Sequence, residues 1–137
     1  MDEYEWGSNL GIAGDGVLFN MVDKINGTTE NRQMAMWQLD YLLGRNACGY
    51  CFVTGFGETP TEHPHHRPSQ VVGEAVPGML AGGPNSGLED PYAKTVFVGR
   101  APAKCYADVD QSYSTNEVAI YWNSPLVLLL ASSAVLK

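Results

Sequence analysis

Basic residues are scarce in this chain: 8 of its 137 residues are Lys or Arg, against 15 Asp or Glu, for a net charge of −7. Binding to a phosphate backbone needs clustered Lys and Arg, so a nucleic-acid partner is excluded and a neutral ligand is compatible. Long apolar runs are missing as well. The stretch from Leu126 to Ala131 is too short to cross a bilayer, which excludes a membrane partner. The N-terminus, Met1-Asp2-Glu3-Tyr4-Glu5, is acidic and shows no apolar core of a signal peptide. Cysteine is sparse, with only Cys48, Cys51 and Cys105. The Cys48-Gly49-Tyr50-Cys51 spacing lacks the second ligand pair of a zinc site, so these read as buried or loop thiols. His63, His65 and His66 lie close together, but a metal would need further ligands, and Arg67 would repel a cation in the same place. No metal site and no required cofactor follow from these residues.

What is present divides into helical ends and a loop-rich middle. Ser8 or Asn9 is expected to cap a first helix over 9–24, with Leu10, Val17, Leu18, Met21 and Val22 as its apolar stripe. Asn26-Gly27 ends it, and Thr28 or Thr29 opens a second helix over 30–43, where Met34, Trp37, Leu39, Tyr41, Leu42 and Leu43 cover two adjoining faces. A last helix is expected over 125–136, with Ser124-Pro125 as cap and first turn and Leu126 to Leu136 apolar on nearly every face. Between them, Gly and Pro concentrate from Gly44 to Pro102. Short strands are candidates at 51–54 and 95–98, and Tyr50, Phe52 and Phe56 read as packing residues. An irregular stretch this long is usually functional or disordered, and its aromatic and His content favours function.

The chemistry concentrates between Tyr106 and Asn123, where Asp108, Asp110 and Glu117 sit among aromatic and hydroxyl side chains. Aromatic faces bind the apolar faces of pyranose rings, and Asn and Ser read hydroxyls. A carboxyl held in a partly apolar site stays protonated near neutral pH and can protonate a glycosidic oxygen.

The spacing of Tyr106, Asp108, Tyr113, Glu117, Ala119 and Asn123 resembles the C-terminal signature of the glycoside hydrolase family 9 cellulases. Pro64-His65-His66-Arg67 resembles a second block of that family. Asp40-Tyr41-Leu42-Leu43-Gly44-Arg45-Asn46, Phe52-Val53-Thr54-Gly55-Phe56-Gly57 and Gly82-Gly83-Pro84-Asn85 resemble further runs in the family's order. The resemblance implies an all-α fold, the C-terminal portion of an (α/α)6 barrel whose helices are joined by a long irregular loop region. Residues 1–137 would be a C-terminal fragment of a catalytic domain that hydrolyses β-1,4-glucosidic bonds in cellulose by an inverting mechanism.

The resemblance also distributes roles. Glu117 is implied as the general acid and Asp108 as a second catalytic-centre carboxylate that orients sugar or acid. His65 and Arg67 are implied as sugar contacts. Tyr113 and Trp122 flank the acid and are implied as further substrate contacts, and Trp6 offers a stacking platform, with a core Trp at the start of a helix as the alternative reading. The family's catalytic base lies in an upstream Asp-x-x-Asp motif; Ala13-Gly14-Asp15 lacks the earlier Asp, so Asp15 does not fill that place. His66 reads as structural and Asp110 as a solvated or turn residue. Calcium is common in the family, and Leu88-Glu89-Asp90-Pro91-Tyr92 offers oxygen ligands without a full spacing. A secreted parent is implied. Apolar faces of a barrel fragment need cover from a missing N-terminal segment or from self-association, since each orphaned large side chain forgoes about 1.5–3 kcal/mol. The rival reading is a non-catalytic carbohydrate-binding or structural fragment of a truncated cellulase.

Overall fold

Gly27 ends the first helical pattern in the left-handed region (φ 68°), where its amide donates to the Asp23 carbonyl. The structure, a computed structural model, describes residues 4–135. Its first two helices, α1 (Ser8–Asn26) and α2 (Arg32–Leu42), form the expected hairpin. Asp23 holds their turn: its carboxylate accepts from Thr28 Oγ1 at 2.8 Å, Asn31 Nδ2 at 2.9 Å and the Asn31 amide at 3.0 Å. Thr28 therefore serves Asp23, and Asn31 takes the N-cap position of α2.

The inward face of α1 differs from the expected stripe. Its buried residues are small or polar: Ser8, Asn9, Ala13, Gly16, Asn20 and Asp23. Leu18, Met21 and Val22 point outward and are exposed. The small residues let a third helix, α6 (Ile120–Val135), approach closely; a Cβ at Gly16 would lie 2.8 Å from the Leu129 methyls. Asn20 Nδ2 donates across the same seam to Ser132 Oγ at 2.8 Å. Ser8 and Asn9 do not cap α1 either. Gly7 is the cap residue, while Ser8 Oγ donates to the Pro84 carbonyl and Asn9 Nδ2 to the Ala81 carbonyl.

Helix α6 starts before the expected Ser124-Pro125, because the Ala119 carbonyl already collects the Trp122 and Asn123 amides and Asn123 Nδ2. Pro125 lies inside the helix, at the cost of the one hydrogen bond its ring cannot donate. Leu136, expected in this helix, lies outside the described residues. Trp122, Leu126 and Leu129 turn inward, while Val127, Leu128 and Leu130 remain exposed.

The irregular middle carries only short elements: α3 (Arg67–Val72), α4 (Pro91–Val96), a 3-10 turn (Pro102–Lys104) and α5 (Tyr113–Asn116). No strand forms among the described residues. The 51–54 segment makes two isolated bridges, Cys51 to Pro60 and Val53 to Leu80, and nothing longer. The 95–98 candidate is corrected: it falls on the end of α4, because Asp90 caps that helix by accepting the Ala93 amide at 2.6 Å and Pro91 occupies its first turn. Phe52 fills the centre of the main core between the Tyr41 and Tyr106 rings, with Leu39, Leu42, Leu80, Trp122, Leu126 and Leu129 around it. Phe56, expected to pack, is exposed instead. A satellite cluster of Ala93, Phe97 and Cys105 supports α4.

Candidate active site

Glu117 leaves α5 in an extended conformation (φ −66°, ψ 153°), and its backbone is stitched on both sides. His65 pairs with it in a parallel bridge, the His65 amide donating to the Asn116 carbonyl at 2.8 Å. On the other side the Gly82 amide donates to the Glu117 carbonyl at 2.9 Å, beside an antiparallel bridge between Ala81 and Val118. Both neighbours come from the loop-rich middle, so the irregular segment is what places Glu117.

Around that backbone three sequence-implied residues gather. Trp6 Nε1 donates to Glu117 Oε2 at 3.1 Å. The Tyr113 ring lies 5.8 Å from the Trp6 ring and 5.6 Å from the His65 ring, between centroids. His65 Nδ1 lies 2.7 Å from the Asp110 carbonyl; since a carbonyl can only accept, Nδ1 carries the proton and Nε2 is left for a ligand. Gly7 makes the approach of Trp6 feasible. It sits at φ 82° against the Trp122 ring, where a Cβ would stand 2.9 Å from the indole.

Asp108 lies one layer back. Its two oxygens accept the Glu62 and His63 backbone amides, each at 2.8 Å, so the carboxylate is a clamp on the loop that delivers His65. Asn116 links this clamp to the Glu117 segment. It is fully buried, its Nδ2 donates to the His63 carbonyl at 2.7 Å and to Asp108 at 3.2 Å, and its Oδ1 accepts from the Tyr106 hydroxyl at 2.7 Å. Sequence reasoning passed over Asn116. Its place directly before Glu117, in a family-like run, was the available signal.

Two implied contacts stand apart from this group. Trp122 is corrected: it is 2% exposed, enclosed by Gly7 and Gly82, and offers no face on which a sugar could stack. Its ring is core, and its small glycine neighbours are the reason it fits there. Arg67 opens α3, is exposed, and forms no ion pair among the described residues, where Arg45–Asp40 at 2.7 Å is the single one. Trp6 keeps 41% exposure, as a residue at an open surface requires.

No group of three or more His, Cys, Asp or Glu able to hold an ion occurs among the described residues. His65 and His66 turn to different partners, the Asp110 carbonyl and Ser69 Oγ. In the calcium-like run, Glu89 accepts from Asn85 Nδ2 at 2.6 Å, and both oxygens of Asp90 accept from protein donors. The cysteines are free thiols. Burial, with Cys105 nearby, pushes the Cys48 thiol up to about 11.

The profile of glycosyl hydrolase family 9 matches residues 1–130. A cellodextrinase of Butyrivibrio fibrisolvens is 41% identical over 133 residues, covering 95% of this chain and 24% of the relative. Endoglucanase C of Cellulomonas fimi is 39% identical over 132 residues, covering 90% of this chain and 12% of the relative. The crystal structure of a single mutant of a thermostable endoglucanase from Alicyclobacillus acidocaldarius superposes with a TM-score of 0.89 at 41% identity, covering 99% of this chain and 26% of that one. The chain spans 26% of that structure and smaller shares of the two curated relatives. With the helical fold, these matches show that the chain belongs to glycosyl hydrolase family 9, as a segment of its (α/α)6 barrel catalytic domain.

Proposed function

We propose that this chain supplies the general acid of an inverting hydrolase of β-1,4-glucosidic bonds in cellulose and related glucans. The observation that carries the reading is a run of contacts from the Glu117 carboxyl to the Trp6 indole, from there to the Tyr113 ring and on to the His65 ring. An acid, a hydroxyl reader and aromatic faces on one surface are what a sugar ring at a scissile bond requires.

In this reading the Trp6 indole holds Oε2, leaving Oε1 of Glu117 to carry the proton. That proton passes to the departing glycosidic oxygen as the bond from the anomeric carbon breaks. Water attacks the same carbon from the opposite face and gives its proton to a carboxylate base. The base is an Asp of a segment outside residues 1–137, standing about 6.5–9.5 Å from the acid, as inversion needs room for the water. Glu117 then regains a proton from solvent. His65 and Arg67 bind hydroxyls, Tyr113 and Trp6 face the ring, and Asp108 acts through the loop it clamps.

The exposed apolar faces of α1, α2 and α6, including Leu18, Trp37 and Leu128, are where the rest of the barrel packs. An isolated chain covers them by self-association. The substrate is a polymer too large to be taken up, which places the parent enzyme outside the cell. Reducing-sugar release from carboxymethyl cellulose tests the reading in the full-length enzyme and in residues 1–137 alone. Turnover by the former and very little by the latter is expected. If the full-length enzyme binds cellulose but does not cleave it, the non-catalytic carbohydrate-binding reading replaces this one.

A further inference from the structure

Asp90 is fully buried and forms no ion pair among the described residues. An uncompensated buried carboxylate is costly unless donors surround it. Here they do. Oδ1 accepts the Ala93 amide at 2.6 Å and caps α4, which rests on the Phe97 and Cys105 cluster. Oδ2 accepts the Ser114 amide at 3.0 Å and the Ser114 hydroxyl, with the Ser112 hydroxyl at 3.5 Å. Asn85 Nδ2 holds the Ser114 carbonyl at 2.9 Å. The residues on both sides of Tyr113 are thus tied to one carboxylate.

Helix α5 has four residues, too few to sustain itself, and Glu117 follows directly on it. We propose that Asp90 is a positioning residue for the acid: its carboxylate fastens α5 to the packed α4 and so fixes where Tyr113 and Glu117 stand. The proposal rests on the acid role of Glu117 given above. Asp90 touches no substrate; it acts through Ser112 and Ser114.

The test uses the full-length enzyme that contains this chain, with cellopentaose and an aryl cellobioside bearing a good leaving group. D90N suits it, because Asn caps helices as well as Asp and keeps one acceptor for Ala93, while its other atom becomes a donor facing the Ser114 amide. The expected result is a fall in kcat on cellopentaose of about 10²-fold, the scale of a misplaced reacting group. KM should stay nearly constant, and the aryl substrate, which needs little protonation, should lose clearly less. S114A removes only the hydroxyl arm and should move kcat in the same direction by less. An unchanged kcat in D90N, or equal losses on both substrates, overturns the proposal. If D90N does not fold, S114A decides alone, by the same split between substrates. E117Q in the same series separates the two readings. Full cellopentaose turnover in E117Q sinks the acid assignment, and with it the proposal; a collapse in E117Q with D90N intact sinks only the role of Asp90.

Discussion

Trp6 donates its indole N–H to Glu117 Oε2 at 3.1 Å, joining residues 111 positions apart. The bond makes Trp6 a holder of the Glu117 carboxyl as well as an exposed ring beside Tyr113. In the full-length enzyme, Trp6→Phe removes the donor and keeps an aromatic face. Hydrogen bonds to charged groups contribute about 1.5–3 kcal/mol when shielded, and less at an exposed surface. A loss in kcat of about tenfold is therefore expected, with KM little changed. Trp6→Ala should raise KM as well. Steady-state kinetics on cello-oligosaccharides check both, and an unaltered kcat in the Phe variant would leave Trp6 a stacking residue only.

Glu117→Gln keeps size and hydrogen bonding but has no transferable proton. Turnover of cellulose should drop by about 10²–10⁴-fold, the usual contribution of acid–base catalysis, while binding barely changes. Aryl glycosides with good leaving groups should lose much less. Equal slowing of the two substrate types would assign Glu117 a positional role instead.

Asp108→Asn offers the contrast. Its carboxylate accepts the Glu62 and His63 amides, and Asn keeps only one acceptor, so one tether of the His65 loop is lost. Both substrate types should slow alike, because the loop rather than the proton is affected. Amide hydrogen exchange at residues 62–63 should quicken in parallel, and unchanged exchange would count against the clamp.

Asp23 predicts an acid-dependent hairpin. Burial opposes its charge, but bonds from the Asn31 and Thr28 side chains and the Asn31 and Arg32 amides outweigh it and hold the carboxyl below its ordinary value of 3.8. A lowered folded value means that the stabilisation is present above the ordinary value and is lost as pH falls through the folded one. Asp23→Asn should therefore lower the urea midpoint at pH 7, and its gap to the unsubstituted protein should close on acidification. A gap that persists at the lowest pH would show that shape, not charge, is what Asp23 contributes.

Cys48 should resist alkylation at neutral pH. Burial first, then the nearby Cys105, push its thiol up to about 11 against the opposing pull of Lys104. Only the thiolate reacts, so iodoacetamide labelling should be slow at pH 8, faster toward pH 11, and rapid at pH 8 once urea unfolds the chain. Mass spectrometry of Cys48 peptides reads this directly.

The three main helices were legible in sequence because helix formation is a local matter: apolar spacing, Asn26-Gly27 and Gly44 mark segments without reference to the rest of the fold. The family-like segment was legible for a similar reason, since Tyr113, Glu117 and Asn123 lie within one short run. Which face of α1 turns inward was not. Large apolar residues suggested Leu18 and Met21, but close helix packing selected Ala13, Gly16 and Asn20, and period alone does not say which neighbour a face will meet. The start of α6 was missed because Pro125 reads as a beginning, whereas Ala119 had already gathered the preceding turn's donors. The enclosure of Trp122, the indole bond from Trp6, the Asp108 clamp and the Asp90 tether belong to the tertiary structure alone. Each joins segments far apart in the chain, and local propensity constrains φ and ψ but not which distant side chains come within hydrogen-bonding reach or lose their water.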